Sequence, residues 1–156
     1  NNIILKPPAY HNEGIIEIRD WLFLAGSISG AHDWQTGVAE KLVPYFNIVN
    51  PRRDNFDAND PEMEKEQIKW EYDHLGLCGN ILFFFSYETV APITLLELGT
   101  VLDMGNRGTK NIHICIHPEY KRKNDVIIQT ELRAPNLLKN ICFDLDELVK
   151  NVIKNK

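Results

Sequence analysis

Short, continuous apolar runs alternate along the chain with longer stretches in which apolar residues recur at helical spacing. Strand-length runs that are apolar throughout are typical of parallel sheets covered on both faces, because neither side of such a strand meets water. The longest of these runs covers residues 81–85. The pattern predicts five strands, near residues 21–26, 46–50, 80–86, 111–116 and 141–143.

Helices are predicted between and after these strands, and local start and stop signals support them. Asp33 is placed to cap the first helix, Pro61 and Pro92 suit first helical positions, and Gly105 suits a helix end. The predicted helices cover residues 33–45, 61–77, 92–104, 124–133 and 145–154. Strands that alternate with helices indicate an α/β fold, a doubly wound parallel sheet with helices on both faces.

Residues 1–20 do not follow this alternation. The Pro7-Pro8 pair interrupts any regular element, and Ile15, Ile16 and Ile18 favour a short edge strand. We therefore expect an N-terminal arm over residues 1–20, paired with a sheet edge or with a partner. A single domain is expected over residues 21–156.

Composition narrows the class of protein. The chain of 156 residues has 17 basic and 22 acidic residues, so a net charge of −5 makes it a poor ligand for nucleic acid polymers. No apolar run approaches the roughly 20 residues of a membrane span. The three cysteines are far apart, which argues against disulfides and zinc sites. We expect a cytoplasmic protein that uses no metal and binds no membrane.

Candidate chemistry is expected where strands end, because ligands of open α/β sheets bind at the carboxyl ends of the strands. Gly26 and Ser27 follow the first strand; they form either a tight turn or a loop that presents N–H and hydroxyl groups to a sugar or phosphate. Arg52 and Arg53 follow the second strand, where they either hold an anion or pair on the surface with acids such as Asp54.

Glu97 is a lone carboxylate in a strongly apolar predicted helix. A partly buried carboxylate with a second one nearby is typical of glycosyl transfer, in which one group attacks the anomeric carbon and the other handles the proton. The alternative is a solvent-facing stripe, since Thr94, Glu97, Thr100 and Asp103 recur every three residues. A metal site at Glu71, Asp73 and His74 is a weak interpretation, because Asp73 lies off their shared helical face.

Five motifs follow one another along the chain: FLAGS (23–27), NPRR (50–53), QIKWE (67–71), ILFFFS (81–86) and APITLLELG (91–99). Together, and in this order, they resemble the nucleoside 2-deoxyribosyltransferase-like family over about residues 21–153. The resemblance implies a flavodoxin-like sheet of five parallel strands. It also implies that Glu97 attacks C1′ of a 2′-deoxynucleoside, releases the base and forms a glycosyl-enzyme ester, which a second base or water then resolves. Glu71 is the best match for the acid that assists at the base.

The resemblance also sets the expected site and its ligands. Glu97, ionised at neutral pH, and Glu71 are the expected catalytic residues, with substrate bound by Gly26, Ser27, Asp33, Trp34, Arg52, Arg53 and Asp54. Trp34 is equally compatible with a core position. The expected ligands are a deoxynucleoside or deoxynucleotide and a free nucleobase, with no cofactor, in a homodimer or larger homo-oligomer that serves nucleoside salvage. The alternatives are a deoxynucleotide N-glycoside hydrolase and a non-catalytic nucleotide-binding module.

Overall fold

Six strands, all paired in parallel, form one sheet within residues 1–11 and 17–156, the part of the chain that the computed structural model describes. The strands are β1 (Ile4–Leu5), β2 (Trp21–Gly26), β3 (Asn47–Val49), β4 (Asn80–Phe85), β5 (Asn111–Ile116) and β6 (Ile141–Cys142). Their order across the sheet is β1-β3-β2-β4-β5-β6. The last five strands have the flavodoxin-like order, so the doubly wound α/β prediction is confirmed.

The helices cover both faces of the sheet. They are α1 (Gln35–Leu42), α2 (Pro61–Leu77), α3 (Pro92–Arg107), α4 (Lys123–Arg133) and α5 (Leu145–Lys154). Helices α1 and α5 pack with the alternate β4 residues Leu82 and Phe84 in one apolar cluster. Helices α2, α3 and α4 pack with Ile81, Phe83 and Phe85 in the other. All six β4 residues are buried, which explains why the strand reads as a continuous apolar run.

Helix ends follow the sequence signals with two differences. Helix α1 begins at Gln35, but Asp33 still caps it, because its Oδ1 accepts the Thr36 N–H at 3.1 Å. Helix α3 does not stop at Gly105, which packs inside the helix where a Cβ would lie 2.7 Å from Ile112. The helix ends instead at Gly108, whose φ of 81° lies in the left-handed region that glycine adopts without strain.

The sheet has one strand more than the five that the sequence predicts. The extra strand, β1, lies in the N-terminal arm and pairs with β3, where it places Leu5 in the core. Ile18 lies in a short 3-10 turn, not in an edge strand, and Ile15 and Ile16 lie outside the described residues. The arm therefore does meet a sheet edge, through residues nearer its start. Its division from the domain at residue 20 stays a prediction.

The sheet order fixes where a cleft opens. Strands β2 and β4 are neighbours, but the chain leaves β2 toward α1 on one face and leaves β4 toward α3 on the other. The loops after β2 and β4 therefore diverge, and a crevice remains between them at the carboxyl ends of the strands. None of the helices in the described ranges has the length and apolar character needed to cross a bilayer.

Candidate active site

A cavity of about 290 Å³ occupies this crevice. Four segments form its walls: the end of β2 with residues 27–29, the segment after β3, the middle of α2, and the start of α3 with the loop before it. The lining residues are Gly26, Ser27, Ile28, Ser29, Pro51, Arg53, Phe56, Gln67, Glu71, Thr89, Ala91, Pro92, Ile93, Thr94 and Glu97. The site thus draws on three β-to-α junctions and on two helices.

Glu97 projects from α3 into this cavity and is partly buried. Helix α3 begins after Ala91, a buried residue held at a φ of 55°, which is unusual for a residue other than glycine. Thr94 is also buried and lines the cavity, whereas Thr100 and Asp103 are exposed. The three-residue repeat is therefore not a uniform solvent-facing stripe: its first half faces the cavity and its second half faces water.

Glu71 lines the same cavity from α2, one helical turn after Gln67. The Gln67 Nε2 donates to the Glu71 Oε2 at 2.9 Å and to the Pro51 carbonyl at 2.8 Å. The Pro51 carbonyl and the Glu71 carboxylate both accept hydrogen bonds. The amide nitrogen of Gln67 must therefore face them, and the amide oxygen must point away. The Gln67 Oε1 is buried and has no hydrogen-bond partner among the described residues. Gln67 was not predicted as a site residue, although its position four residues before Glu71 was a usable signal.

Burial sets the protonation of the two glutamates. Burial, reinforced by the charge of Glu71, raises the pKa of Glu97 from 4.5 to about 8. Burial also raises the pKa of Glu71, against the opposing effect of its hydrogen bond from Gln67. No basic side chain of the described residues forms an ion pair with either glutamate. The raised pKa favours the protonated form of Glu97 in the ligand-free protein, because no basic side chain of the described residues pairs with it; its ionisation at neutral pH stays a prediction.

The two adjacent arginines have different positions. Arg53 lines the cavity, and its Nη1 donates to the Glu66 carboxylate at 2.9 Å. Arg52 does not line it: its Nε donates to the Gln35 amide oxygen at 2.9 Å, and its Nη2 reaches the loop that follows β2. There the Nη2 donates to three backbone carbonyls at 3.0 to 3.1 Å, those of Ile28, Ala31 and His32. Arg52 thus holds that loop in shape.

Three other predicted substrate residues lie outside the cavity. Asp33 caps α1 and lies 3.4 Å from the Arg52 guanidinium. Partial burial would raise the pKa of Asp33, but hydrogen bonds from Thr36 and the charge of Arg52 outweigh it and lower this pKa. Asp54 is exposed and pairs with Lys6 at 2.6 Å. Trp34 is 4% exposed and packs edge-on against Phe84, so it occupies the core position that was its alternative. Of the predicted set, the structure brings together Gly26, Ser27, Arg53, Glu71 and Glu97.

Gly26 lets the tryptophan approach the end of β2. A Cβ on Gly26 would lie 2.4 Å from the Trp34 ring and 2.8 Å from the Phe84 carbonyl oxygen. The Trp34 Nε1 donates to the Ser27 carbonyl at 3.3 Å. The glycine is therefore needed for close packing at the base of the cavity, in addition to any contact with a ligand.

Hydrogen bonds between His32 and Glu88 join the loops that follow β2 and β4. The His32 Nδ1 lies 2.5 Å from the Glu88 carboxylate, which also accepts the His32 N–H at 3.1 Å and the Ser86 hydroxyl at 2.8 Å. These contacts, chiefly that with the His32 ring, lower the pKa of Glu88 to about 2. Residues 27–29 and Thr89 lie on these two loops, so the contact between His32 and Glu88 connects two walls of the cavity.

The weak metal interpretation finds no support in the geometry. Within residues 1–11 and 17–156, no group of three or more histidine, cysteine or acidic side chains is placed to hold a metal ion. Asp73 accepts hydrogen bonds from Tyr10 and Lys69, and the His74 Nδ1 contacts the Trp70 carbonyl at 2.7 Å. Both side chains are thus engaged away from Glu71.

Comparison with known sequences identifies the family. No curated protein matches the chain significantly. The sequence model of the family described as "nucleoside 2-deoxyribosyltransferase like" matches residues 20–120, about two thirds of the chain. The matched segment runs from the last residue before β2 to the loop after β5 and contains every residue that lines the cavity. The chain therefore belongs to the nucleoside 2-deoxyribosyltransferase-like family.

Proposed function

We propose that the protein cleaves the N-glycosidic bond of 2′-deoxynucleosides and transfers the deoxyribosyl group to another base or to water. The observation that carries the proposal is the pair of carboxylic acids, Glu71 and Glu97, in one partly apolar cavity at the switch point of the sheet. Family membership supports the same reaction class. The cavity is close to the lower end, about 300 Å³, of cavities that bind small organic ligands.

In the proposed reaction, a Glu97 carboxylate oxygen bonds to C1′ as the bond from C1′ to the base nitrogen breaks. The electron pair of the broken bond stays on the base, which takes a proton from Glu71. The products are a glycosyl ester on Glu97, an ionised Glu71 and a neutral base. An incoming base or water then attacks C1′, gives a proton to Glu71 and releases Glu97 as a carboxylate.

The raised pKa values supply the proton that the reaction needs, but in the ligand-free protein they favour its place on Glu97. Burial and the charge of Glu71 raise the pKa of Glu97 to about 8, so the pair keeps a proton at neutral pH. The reaction needs one proton and one negative charge on the pair, with the charge on Glu97 at the moment of attack. Substrate binding must therefore shift the proton toward Glu71 or the base. A developing positive charge on the sugar ring favours this shift, because it attracts the charged form of Glu97.

The test is chromatography of a 2′-deoxynucleoside incubated with a different free base. Wild-type protein should release the first base and form the second deoxynucleoside. Glu97→Gln keeps the side-chain shape but removes the nucleophile, so both activities should fall by more than about 10³-fold. Glu71→Gln removes the acid and should lower the rate by about 10²-fold or more.

Asp103→Asn is the matched control for this test. Asp103 lies on the same helix, is exposed and does not line the cavity, so its loss should leave both activities unchanged. Equal rates for wild type and Glu97→Gln, with both folded by circular dichroism, contradict the proposed nucleophile. Binding of deoxynucleosides without any cleavage by wild type contradicts catalysis and supports a non-catalytic binding module.

Arg53 favours one alternative, hydrolysis of deoxynucleoside monophosphates. Its guanidinium is in the cavity wall, and its side chain is 10% exposed and paired with a single carboxylate. A phosphate could replace that carboxylate as the partner of the guanidinium. Rates for a deoxynucleoside and its 5′-monophosphate, each with wild type and Arg53→Gln, separate the two substrates. A preference for the monophosphate that disappears in Arg53→Gln supports the alternative.

A further inference from the structure

A second cavity, of about 650 Å³, lies at the opposite end of the sheet. Its lining includes Asn80 and Asn111, the first residues of β4 and β5, so it opens at the amino ends of the strands. The candidate active site opens at their carboxyl ends. This second cavity therefore shares no residue with the site described above.

The second cavity carries net positive charge in a protein that is acidic overall. Arg19, Lys139 and Lys156 line it, and Asp20 is the one acidic side chain among the residues that line it. The Lys156 Nζ lies 3.7 Å from Asp20 and 4.4 Å from the centre of the Phe46 ring. Among the described residues, the side chains of Arg19 and Lys139 form no hydrogen bond or ion pair, so these two cationic groups line the cavity without a counter-ion from that part of the chain.

His113 adds a polar group that opens into the cavity. It lies on β5, is 8% exposed and lines the cavity, and neither ring nitrogen bonds to any residue that the structure describes. Its nitrogens are not among the fully buried atoms that lack a partner, so they are reached from the cavity, where a ligand can bond to them. Burial lowers the pKa of His113 to about 4, so the ring is neutral near pH 7 and offers one donor and one acceptor.

Hydrogen bonds made by Asn80 hold part of the rim of the second cavity in the ligand-free protein. The Asn80 Nδ2 donates to the carbonyls of Arg19 and Trp21 at 2.7 and 3.1 Å, and the Asn80 Oδ1 accepts from Asn111 at 3.1 Å. These bonds tie the backbone that carries Arg19 to the start of β4. Phe46 and Val152 contribute apolar surface to the same cavity. A ligand would therefore meet a held backbone at Arg19 together with an apolar wall from Phe46 and Val152.

We propose that this second cavity binds a small molecule bearing a phosphate group. Arg19 and Lys139 contact the phosphate, and His113 hydrogen-bonds to it or to the group that it is attached to. A phosphate monoester carries about −1.5 to −2 charges at pH 7, close in size to the side-chain charge of the lining, which has three basic groups and one acidic group. The volume, within the roughly 300–1,000 Å³ of small-molecule sites, leaves room for an organic part against Phe46 and Val152.

The test measures binding by calorimetry and its location by NMR of the His113 ring nitrogens. The probes are inorganic phosphate, adenosine 5′-monophosphate and, as the uncharged control, adenosine. The ribonucleotide has a 2′-hydroxyl, so it is not a 2′-deoxynucleoside of the kind that the proposed reaction cleaves. Both phosphate probes should bind saturably and shift the His113 signals, and adenosine should do neither. Tighter binding of the monophosphate than of phosphate identifies an ester as the ligand; equal affinities identify free phosphate.

Three variants sharpen the test. Arg19→Met with Lys139→Met should weaken phosphate binding by at least about tenfold per lost charge, because charge-assisted hydrogen bonds are the strong ones. Lys65→Met with Lys121→Met removes the same charge from exposed lysines outside both cavities and should leave the affinity unchanged. His113→Leu should also weaken binding, since it removes both ring nitrogens.

Three results would overturn the proposal. One is the absence of any shift at His113 with phosphate up to about 10 mM. Another is phosphate binding that survives Arg19→Met with Lys139→Met. The third is binding that shifts only signals from residues of the first cavity, such as Ser27 and Arg53. Because none of these readouts uses turnover, they are independent of whether the proposed glycosyl transfer is right.

Discussion

Replacing Glu97 with glutamine should stabilise the protein by an amount that grows as the pH rises from about 4.5 to about 8. The unfolded chain loses the Glu97 proton near pH 4.5, whereas the folded protein keeps it to about pH 8. Between these values the folded state binds one more proton than the unfolded state, so the free energy of unfolding falls as the pH rises. Glutamine has the shape of the protonated acid and no charge to bury. The free energy of unfolding of the variant should therefore not fall with pH on account of residue 97.

The size of the effect follows from the same pKa difference. The pKa of Glu97 is 4.5 in the unfolded chain and about 8 in the folded protein. At about 1.4 kcal/mol for each pKa unit, this difference corresponds to roughly 4–5 kcal/mol of unfolding free energy. Glu97 is only partly buried, so solvent screens part of this energy and we expect about 2–4 kcal/mol above pH 8. For a domain of this size, that gain corresponds to a rise in Tm of roughly 5–10 °C.

The assay is urea unfolding of wild type and Glu97→Gln at pH 5 and pH 9. At pH 5 the two proteins should unfold at nearly the same urea concentration, and at pH 9 the variant should need more. Asp103→Asn, an exposed change on the same helix, controls for the loss of a surface charge and should show no such gain. A stability difference between wild type and Glu97→Gln that is equal at the two pH values refutes the reasoning.

Two further changes test how the site is held. Gln67→Met removes the donor that lowers the pKa of Glu71, so this pKa should rise. The alkaline limb of the pH–rate profile for deoxynucleoside cleavage should then move to higher pH, and the rate should fall about tenfold, measured by steady-state kinetics across pH. Gly26→Ala places a Cβ 2.4 Å from the Trp34 ring and should cost about 1–3 kcal/mol in urea unfolding. Gly37→Ala, in open space on α1, should instead leave stability equal or slightly higher, and a similar loss in both variants would contradict the packing argument.

Most of the sheet could be predicted because its strands are buried on both faces. Strand β4, for example, is apolar along its length, and that signal needs no knowledge of the rest of the chain. Strand β1 could not be predicted, since two residues are too short for any periodicity. It exists because the Ile3 and Leu5 carbonyls accept the N–H groups of Ile48 and Asn50, which are far away in sequence.

The site was predictable where the residue type is unusual for its surroundings. Glu97 is such a residue, a carboxylate in an apolar helix, and the structure puts it in the cavity. Arg52 and Arg53 could not be told apart, because neighbouring residues of an extended segment point to opposite sides and either could have faced the ligand. The raised pKa of Glu97 and the contact of Gln67 with Glu71 depend on burial and partners that exist only in the folded chain.

The contacts of Arg52 have a consequence for ligand affinity. One guanidinium fixes the loop after β2 through the carbonyls of Ile28, Ala31 and His32, and that loop supplies Ser27 to Ser29 to the cavity wall. Ordering each loop residue costs about 1–2 kcal/mol of conformational entropy, which the folded protein has already met before a ligand arrives. Arg52 therefore contributes to affinity through preorganisation: without it, the same contacts with the ligand would also have to order the loop.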